Sequence, residues 1–443
     1  MSSTGCTILG SAVLTLFLAG YLAQRYLPPP KPKIVGIDLG TTFSCIGAYQ
    51  AGTGEVNILE DKLGRKCIPS IVAFNGKDIL VGHAAAEQAE HNPQNTVYDA
   101  KRFIGKGFTD EELQKEVGRY PFQMVISEDG MIRYQVHHAD ENGNKEMTPE
   151  VIGSHILRQL KETAEHRLDA KVHRTVISVP AEFDEQQRNY TRKAAELAGF
   201  DVLRIITEPT AAALAYGLHK KSGIRNVLVV DLGGGTLDVS LLNIQGGMFL
   251  TQAIAGNNHL GGQDFNQRLM SHVLQQIADH FHRQLTDPED MQALRLAVED
   301  TKQNLTYHDT ATLSLHIHSF HGKVSLSTEP IHYELNIDRR TFENINSDLF
   351  DKVLEPIDRV LEATELPRED VDEIVLVGGS TRIPKVRRLI REYFGKIPNT
   401  SIEPELAVVM GSSLQAGVIG GMWPLTVSAI EQRSPVLKKI HVQ

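Results

Sequence analysis

Two stretches of the sequence place an aspartate just before a turn of glycine and threonine. Asp38 precedes Gly-Thr-Thr at 40–42, and Asp231 precedes Gly-Gly-Gly-Thr at 233–236. Glycine lets the chain turn tightly and brings backbone N–H groups close to phosphate oxygens. A carboxylate at the end of a strand can hold Mg²⁺ through its water ligands. The two turns therefore predict a site for a magnesium-bound polyphosphate such as ATP.

The elements around these turns repeat in the same order. Apolar runs at 34–38 and 226–231 lead into the two turns. After each turn the sequence continues as a second strand, at 43–49 and at 237–244. A repeated order of this kind indicates an internal duplication. A third apolar run, 372–377, ends in Gly-Gly-Ser before a helix, so a third strand is expected to deliver a glycine turn to the same place.

Strands that alternate with helices predict mixed α/β layers. Helices are predicted at 149–166, 185–198, 265–283 and 291–306, and from about 383 onward. The segment 311–333 instead alternates polar and apolar residues, which predicts a small antiparallel sheet with Gly322 at its turn.

Composition and missing motifs exclude several function classes. The net charge of -10, from 45 basic and 55 acidic residues, argues against a nucleic-acid partner, because phosphate-backbone binding needs clustered Lys and Arg. The sequence contains no Gly-x-x-x-x-Gly-Lys-Ser/Thr motif, which excludes a Walker-type NTPase. The protein-kinase signature set is also missing.

Neither the cysteines nor the histidines predict a disulfide framework or a zinc site. The three cysteines are Cys6, Cys45 and Cys67, and their number and spacing offer neither kind of site. The histidines of the predicted small sheet are His316, His318, His321 and His332. We interpret them as an exposed face, since no acidic or cysteine ligand completes a set.

The amino-terminal residues predict a targeting segment. No charge occurs from 7 to 23, and prolines at 28–30 and 32 separate this stretch from the rest of the chain. Residues 1–23 are therefore expected to be a signal peptide or membrane anchor and 24–33 a proline-rich linker. A membrane would be contacted only through this segment, if it stays uncleaved. Three N-glycosylation sequons begin at Asn189, Asn304 and Asn399 and would be usable in a lumenal protein.

Several motifs together resemble one family. They are Gly-Ile-Asp-Leu-Gly-Thr-Thr-Phe-Ser-Cys-Ile-Gly at 36–47, Asn-Thr-Val-Tyr-Asp-Ala-Lys-Arg at 95–102, Val-Pro-Ala at 179–181, Glu-Pro-Thr-Ala-Ala-Ala at 208–213, Asp-Leu-Gly-Gly-Gly-Thr at 231–236, His-Leu-Gly-Gly at 259–262 and Val-Gly-Gly-Ser-Thr-Arg-Ile-Pro-Lys at 377–385. With them the chain resembles the actin-like ATPase superfamily and, within it, the seventy-kilodalton heat-shock chaperone family. Within that family it is most similar to a microsomal member that consists of the ATPase core.

This resemblance implies an α/β fold of the actin-like (ribonuclease H-like) type, duplicated into two lobes with a central cleft. Lobe I would be 34–224 and lobe II 225–400, with a return to lobe I at 401–420. The tail 421–443 would hold no peptide-binding domain, since a sandwich domain alone needs about 100 residues. The resemblance also implies the endoplasmic reticulum or microsomes as the location, where a lumenal body is expected. If the amino-terminal segment stays uncleaved, the basic residues Arg25, Lys31 and Lys33 that follow it would favour a cytosolic body instead.

The resemblance assigns roles to residues of both lobes. The implied catalytic residues are Lys101, Glu208, Asp231, Thr236 and Asp238. The implied nucleotide-binding residues are Gly40, Thr41, Thr42, Phe43, Gly233, Gly234, Gly235, Glu299, Lys302, Thr306, Gly378, Gly379, Ser380, Arg382 and Glu405. Asp38 and Asp231 would hold Mg²⁺ through water, and Asp238 resembles a carboxylate that helps to bind K⁺ or to position water. The cofactors implied are therefore ATP or ADP, Mg²⁺ and K⁺.

Three departures from the family pattern lie near this site. Gln303 replaces an arginine that stacks on the base, Thr207 replaces an asparagine, and Gln263 replaces a glutamate. Pro180 and Arg188 resemble the switch that reports nucleotide state to a peptide-binding domain.

Two functions remain open at this point. The first is slow, magnesium-dependent ATP hydrolysis that is independent of peptide. The second is a nucleotide-gated binding module for co-chaperones, namely a J-domain protein or a nucleotide exchange factor, with little or no hydrolysis. A small-molecule kinase of the same superfamily is less favoured, because sugar kinases do not share Glu-Pro-Thr at 208–210 or Gly-Gly-Ser-Thr-Arg at 378–382 in this form.

Overall fold

The computed structural model describes residues 13–20, 31–137, 144–320, 330–421, 430–432 and 437–441. Residues 13–20 are helical (α1). Among the described residues, no helix combines the length and the apolar character needed to cross a bilayer. Most of the predicted targeting segment, and also His321 and Gly322, lie outside the described residues.

The body of the chain alternates strands and helices. The strands are β1 (Ile34–Leu39), β2 (Phe43–Gln50), β3 (Glu55–Ile58), β4 (Cys67–Pro69), β5 (Ile71–Asn75), β6 (Asp78–Val81), β7 (Thr96–Tyr98), β8 (Gln123–Ile126), β9 (Ile132–His137), β10 (Asn144–Met147), β11 (Arg174–Val179), β12 (Asp201–Thr207), β13 (Asn226–Leu232), β14 (Leu237–Gln245), β15 (Met248–Asn257), β16 (Thr310–Ile317), β17 (Ile331–Asp338), β18 (Glu373–Val377), β19 (Ile430–Gln432) and β20 (Lys438–His441). The helices after α1 are α2 (His83–Glu87), α3 (Asp110–Val117), α4 (Pro149–Leu168), α5 (Glu185–Leu197), α6 (Glu208–Ala215), α7 (Gly262–Phe281), α8 (Pro288–Tyr307), α9 (Arg339–Ile345), α10 (Ser347–Asp351), α11 (Glu355–Thr364), α12 (Pro384–Phe394) and α13 (Ala407–Ile419). Short 3₁₀ turns lie at Pro93–Asn95, Ala100–Arg102, Leu218–Lys220, Arg368–Asp370 and Gly379–Arg382.

Two sheets repeat one plan. In the first, the order is β12-β11-β1-β2-β3, and β1 is parallel to β11 and antiparallel to β2. In the second, the order is β18-β13-β14-β15, and β13 is parallel to β18 and antiparallel to β14. The duplication predicted from the two turns is therefore present in the strand pairing. It brings the hairpins β1/β2 and β13/β14 into equivalent places.

The central strands of the two sheets, β1 and β13, are both buried. Val35 and Ile37 in β1, and Val227 and Val230 in β13, have no or almost no exposed surface. Strands covered on both faces read as near-continuous apolar runs. Helix α13 packs closely on the first sheet, since a Cβ on Gly36 would meet the backbone of α13.

The predicted helices are present, with shifted ends. Helix α8 begins three residues before the predicted start of 291, at Pro288. The side chain of Asp287 accepts hydrogen bonds from the backbone N–H groups of Glu289 and Asp290, which caps the helix. An apolar pattern cannot reveal such a polar first turn. The predicted small sheet is the antiparallel pair β16 and β17.

A disulfide joins Cys45 and Cys67, a bond that the number and spacing of the cysteines did not predict. Strands β2 and β4 pair antiparallel with these two residues directly opposite each other, and their Cα atoms are 4.5 Å apart. Such a separation suits a disulfide. The pairing depends on strand register, which the spacing of cysteines along the chain does not show.

Two short strands from the last part of the chain complete the second sheet. Strand β19 pairs in parallel with the first part of β15, and β20 pairs in parallel with 253–256 near its end. Lys439 of β20 also donates a hydrogen bond of 3.0 Å to the carbonyl of Glu182, which lies just after β11 of the first sheet. The end of the chain thus links both halves of the molecule.

Candidate active site

A cavity of about 510 Å³ lies where the ends of both hairpins meet. Asp38 is near the end of β1, Asp231 is near the end of β13, and Gly378 comes directly after β18. Every residue predicted to be catalytic, nucleotide-binding or magnesium-binding lines this cavity. Pro180 lines it as well, whereas Arg188 lies outside on α5 and donates to the carbonyl of Phe183.

The two glycine turns approach each other across the cavity. A Cβ on Gly234 would lie 1.9 Å from the Oγ1 atom of Thr42, so only glycine fits there. The Oγ1 atom of Thr42 is buried and has no hydrogen-bond partner among the described residues. An unpaired buried hydroxyl is costly unless a ligand satisfies it. These two observations fit a bound phosphate group.

The third glycine turn is fixed by backbone conformation. Gly378 has φ of 82°, and a Cβ there would lie 2.3 Å from the carbonyl oxygen of Leu232. The left-handed region and the close approach both require glycine. The hydroxyl of Ser380, just beyond this turn, donates 2.8 Å to the carbonyl of Gly233. This contact holds the third turn against the second.

Three half-buried carboxylates surround one lysine in the cavity wall. The Nζ atom of Lys101 donates to Glu208 at 2.5 Å. Burial raises the pKa of Asp38 to about 7, with Lys101 opposing and Glu208 adding to the rise. Burial, together with Glu208, also raises the pKa of Asp231 well above its ordinary value. Burial alone would lower the pKa of Lys101, but Glu208 and Asp38 raise it overall. Crowded carboxylates of this kind suit a bound cation.

A fourth carboxylate lies beside the second turn. Asp238 accepts a hydrogen bond of 2.8 Å from the hydroxyl of Thr236. Burial and the neighbouring Glu182 raise the pKa of Asp238 to about 8. The hydroxyl of Thr236 is thus held in one orientation at the edge of the cavity.

The predicted adenosine side is a network of ion pairs. Arg382 binds Glu405 with two contacts, of 2.5 and 2.7 Å. Lys302 contacts Glu299 at 2.7 Å, and Gln303 donates to the other oxygen of Glu299 at 2.9 Å. Gln303 therefore lies in the cavity wall but is exposed and tied to its own helix.

The departures at 207 and 263 have structural explanations. Thr207 is buried, and its hydroxyl bonds the hydroxyl of Thr210 at 3.0 Å, inside the first turn of α6. Gln263 donates from Nε2 to both carboxylate oxygens of Asp99, at 2.9 and 2.8 Å. Asp99 belongs to the first lobe and Gln263 to the second, so the contact crosses the cleft.

Further contacts join the lobes beside this bond. Arg119 contacts Asp264 at 2.9 Å, and Arg102 donates to the carbonyl of Asn258 at 3.1 Å. Asp99 and these arginines were not predicted as site residues, and neither were Lys66, Cys67 and Tyr307, which line the cavity. Their positions depend on contacts between distant parts of the chain. Only Arg102 and Asp99 lie within one of the motifs that carry the family resemblance.

Comparison with known proteins identifies the family. The family model described as Hsp70 protein matches residues 34–434. The chain belongs to the Hsp70 family. Heat shock 70 kDa protein 13 of Bos taurus is 51% identical over 470 aligned positions, which cover 98% of this chain and 98% of the relative. The same protein of Homo sapiens is 51% identical over 469 positions, with the same coverage.

A longer relative matches the Hsp70 core alone. Heat shock 70 kDa protein of Neurospora crassa is 46% identical over 390 positions, which cover 87% of this chain and 58% of that protein. The family and the actin-like duplicated two-lobe fold predicted from the motifs are confirmed. The chain therefore carries an Hsp70-type ATPase core, a family that binds ATP or ADP with Mg²⁺.

The residues present fit a nucleotide and its metal. Bound Mg²⁺ supplies positive charge that offsets the phosphate oxygens. Asp38 and Asp231 are the carboxylates that would hold the metal ion. The hydroxyl of Thr42 would form a hydrogen bond with a phosphate group, and Lys101 brings a fixed positive charge to the same space. Phosphoryl transfer depends mainly on positioning and electrostatic stabilisation, and this chain's own groups supply both.

Proposed function

We propose that this chain hydrolyses Mg-ATP slowly and without a peptide substrate. The observation that carries the proposal is the junction of Lys101, Glu208, Asp38 and Asp231 with two glycine turns in one cavity. Glu208 holds Lys101 in place, so the charge of the lysine is already directed into the cleft. All groups that the reaction needs lie within 34–420.

The roles are derived from the contacts. Glu208 fixes the ammonium group of Lys101, which would orient an attacking water and stabilise negative charge developing on the transferred phosphate. The hydroxyl of Thr236 donates its hydrogen to the carboxylate of Asp238. The oxygen of Thr236 is thereby held beside the second glycine turn. K⁺ near Asp238 is part of the same proposal.

The test measures phosphate release from Mg-ATP by purified protein that begins at Lys31. Lys101→Ala and Thr236→Val should abolish release, and adding unfolded peptide should leave the wild-type rate unchanged. Lys171→Ala is the control, because this exposed lysine pairs with Glu165 outside the cavity. Equal turnover in all four proteins would refute the catalytic assignment.

A nucleotide-gated binding module is the second candidate function. Gln303 favours it, because a neutral side chain tied to Glu299 replaces a stacking cation, which would cost about 1 kcal/mol of base affinity. The partners would be a J-domain protein or a nucleotide exchange factor. Tight binding of nucleotide with no phosphate release above background would support this candidate against hydrolysis.

We also propose that the body lies in the lumen of the endoplasmic reticulum. The Cys45–Cys67 disulfide supports this, since such bonds persist in oxidising compartments. Asn189 and Asn304 begin two of the sequons and are exposed. Endoglycosidase treatment of protein made in cells should raise its mobility, and the change should disappear in a variant with Asn189→Gln, Asn304→Gln and Asn399→Gln. A disulfide that is absent from freshly isolated protein would count against the location.

A further inference from the structure

The cavity of the candidate active site is called the nucleotide cavity below. A second cavity, of about 530 Å³, adjoins it and shares Thr306, Tyr307 and Arg382 with it. Four arginines line this second cavity, which we call the arginine cavity, and no aspartate or glutamate of the described residues does. The three others besides Arg382 come from α12 and are Arg387, Arg388 and Arg391. Such a concentration of one charge is unusual in a chain whose net charge is -10.

Two of these guanidinium groups are already neutralised. Arg382 forms its two contacts with Glu405. Arg388 contacts Glu343 at 2.9 Å. Neither arginine needs a ligand to balance its charge.

The other two arginines have no carboxylate partner within the described part of the chain. Arg387 donates from Nε to the carbonyl of Thr381 at 2.9 Å, and no ion pair of this side chain occurs within the described residues. Arg391 is exposed and forms neither a hydrogen bond nor an ion pair with any residue that the structure describes. The two residues are four positions apart on one helix, so they lie on the same face. Two guanidinium groups are therefore available together.

Arg387 is the arginine of this pair whose positive charge is destabilised by its surroundings. It is half-buried, and burial together with the neighbouring Arg382 lowers the pKa of its guanidinium, against an opposing effect of Glu405. A bound anion would relieve both effects. Guanidinium groups bind phosphate oxygens in a planar, bidentate manner.

Another part of the lining, the apolar wall, is formed by exposed side chains. Ile397 is 84% exposed and Tyr307 is 67% exposed, which places them among the most exposed large apolar side chains of the described structure. Both line the arginine cavity. A ligand that joined an anionic group to an apolar group would cover both kinds of surface. The volume of the cavity falls within the range of about 300–1,000 Å³ that small-molecule sites occupy.

We propose that the arginine cavity binds a small phosphate ester, with its phosphate between Arg387 and Arg391 and its organic group against Tyr307 and Ile397. This cavity shares three residues with the proposed ATP site, but Arg387, Arg391 and Ile397 line the arginine cavity alone, and binding there does not depend on hydrolysis of ATP. Phenyl phosphate is a suitable probe, because it carries one dianionic phosphate and one aromatic ring.

Calorimetry tests the proposal with the full chain saturated with Mg-ADP, so that the nucleotide cavity is filled. Phenyl phosphate should bind at one site, and Arg387→Gln and Arg391→Gln should each weaken it at least about tenfold, which is about 1.4 kcal/mol. Lys385→Gln is the matched control, since it removes one positive charge from the same helix outside the cavity lining. Its affinity should equal that of wild type. Thermal unfolding of each variant checks the fold, and Arg391 is exposed enough for its removal to leave the fold intact.

Two comparisons separate the parts of the ligand. Inorganic phosphate should bind at least about tenfold more weakly than phenyl phosphate if the apolar wall contributes, and benzoate should also be weaker if the second negative charge matters. No saturable binding, or equal loss in all three variants, overturns the site. Equal affinity for inorganic phosphate or for benzoate overturns the phosphate ester as its ligand. If the protein proves unable to bind nucleotide, the difference between Arg387→Gln and Lys385→Gln still decides the location of the probe.

Discussion

Gln263 binds both carboxylate oxygens of Asp99 across the cleft, at 2.9 and 2.8 Å. Asp99 is 1% exposed and has φ of 60°, and the hydroxyl of Tyr120 also donates to it. The 3₁₀ turn that carries Lys101 begins immediately after Asp99. The amide of Gln263 thus ties lobe II to the segment that carries Lys101, to which we assign the catalytic role. The amide suits this place because the oxygens of a buried carboxyl group need hydrogen-bond donors.

Replacing Gln263 by glutamate should open this contact. A second carboxylate would face Asp99 without a donor, and like charges in a buried place repel each other. We expect Gln263→Glu to speed ADP release about tenfold, measured by stopped-flow displacement of a fluorescent ADP analogue. Gln267→Glu, an exposed position on the same helix, should release ADP at the wild-type rate. Identical rates for both variants would show that the bond does not hold the lobes.

The contribution of Asp99 to stability should depend on pH. Burial raises the pKa of Asp99, with Arg102 and the bond from Gln263 opposing the rise. The native state therefore keeps its proton to a higher pH than the unfolded state, and stability is lost as pH rises from about 4, the unfolded pKa, through the raised native pKa. The free energy of unfolding of wild type minus that of Asp99→Asn should fall over this window, as measured by urea denaturation. A curve for Asp99→Asn that stays flat over this window would show that the native protein does not hold the proton.

A methyl group on Gly234 should fill the space for a phosphate. Its Cβ would lie 1.9 Å from the Oγ1 atom of Thr42, so one of the two turns must move. We expect Gly234→Ala to weaken Mg-ADP binding at least about tenfold, as measured by calorimetry. A Cβ on Gly118 would meet nothing within 4 Å, and Gly118→Ala should bind as wild type does. Unchanged affinity in Gly234→Ala would mean that the phosphates lie elsewhere.

Reduction of the disulfide should destabilise lobe I. A bond between residues 22 positions apart is expected to contribute about 2–4 kcal/mol, mainly by restricting the unfolded chain. Dithiothreitol should therefore lower the unfolding midpoint of wild type in urea, followed by circular dichroism. Cys67→Ser should unfold at the lower midpoint with or without reductant. If reductant leaves the wild-type midpoint where it was, the bond does not form in solution.

Sequence motifs and the family resemblance were sufficient to predict many of the residues that line the nucleotide cavity, although not Lys66, Cys67 or Tyr307. Each aspartate, glycine turn and flanking strand is contiguous in the chain, and strand ends of a duplicated sheet converge by symmetry. The bond between Asp99 and Gln263 is different, since 164 positions separate its partners. The disulfide is hidden for a related reason, as strand register decides which residues of β2 and β4 face each other. Contacts set by register or by lobe closure therefore lie beyond pattern reasoning.

The strands formed by residues 430–432 and 438–441 pair with one edge of the second sheet. An uncovered edge strand presents a row of unpaired amide and carbonyl groups. Another chain can pair with these groups, which is how sheets aggregate. Here β19 and β20 occupy much of that row along β15. The edge of this sheet thus consists of two short strands instead of one long strand, which leaves less length for another chain to pair with. These short strands come from a part of the sequence in which no strand was expected.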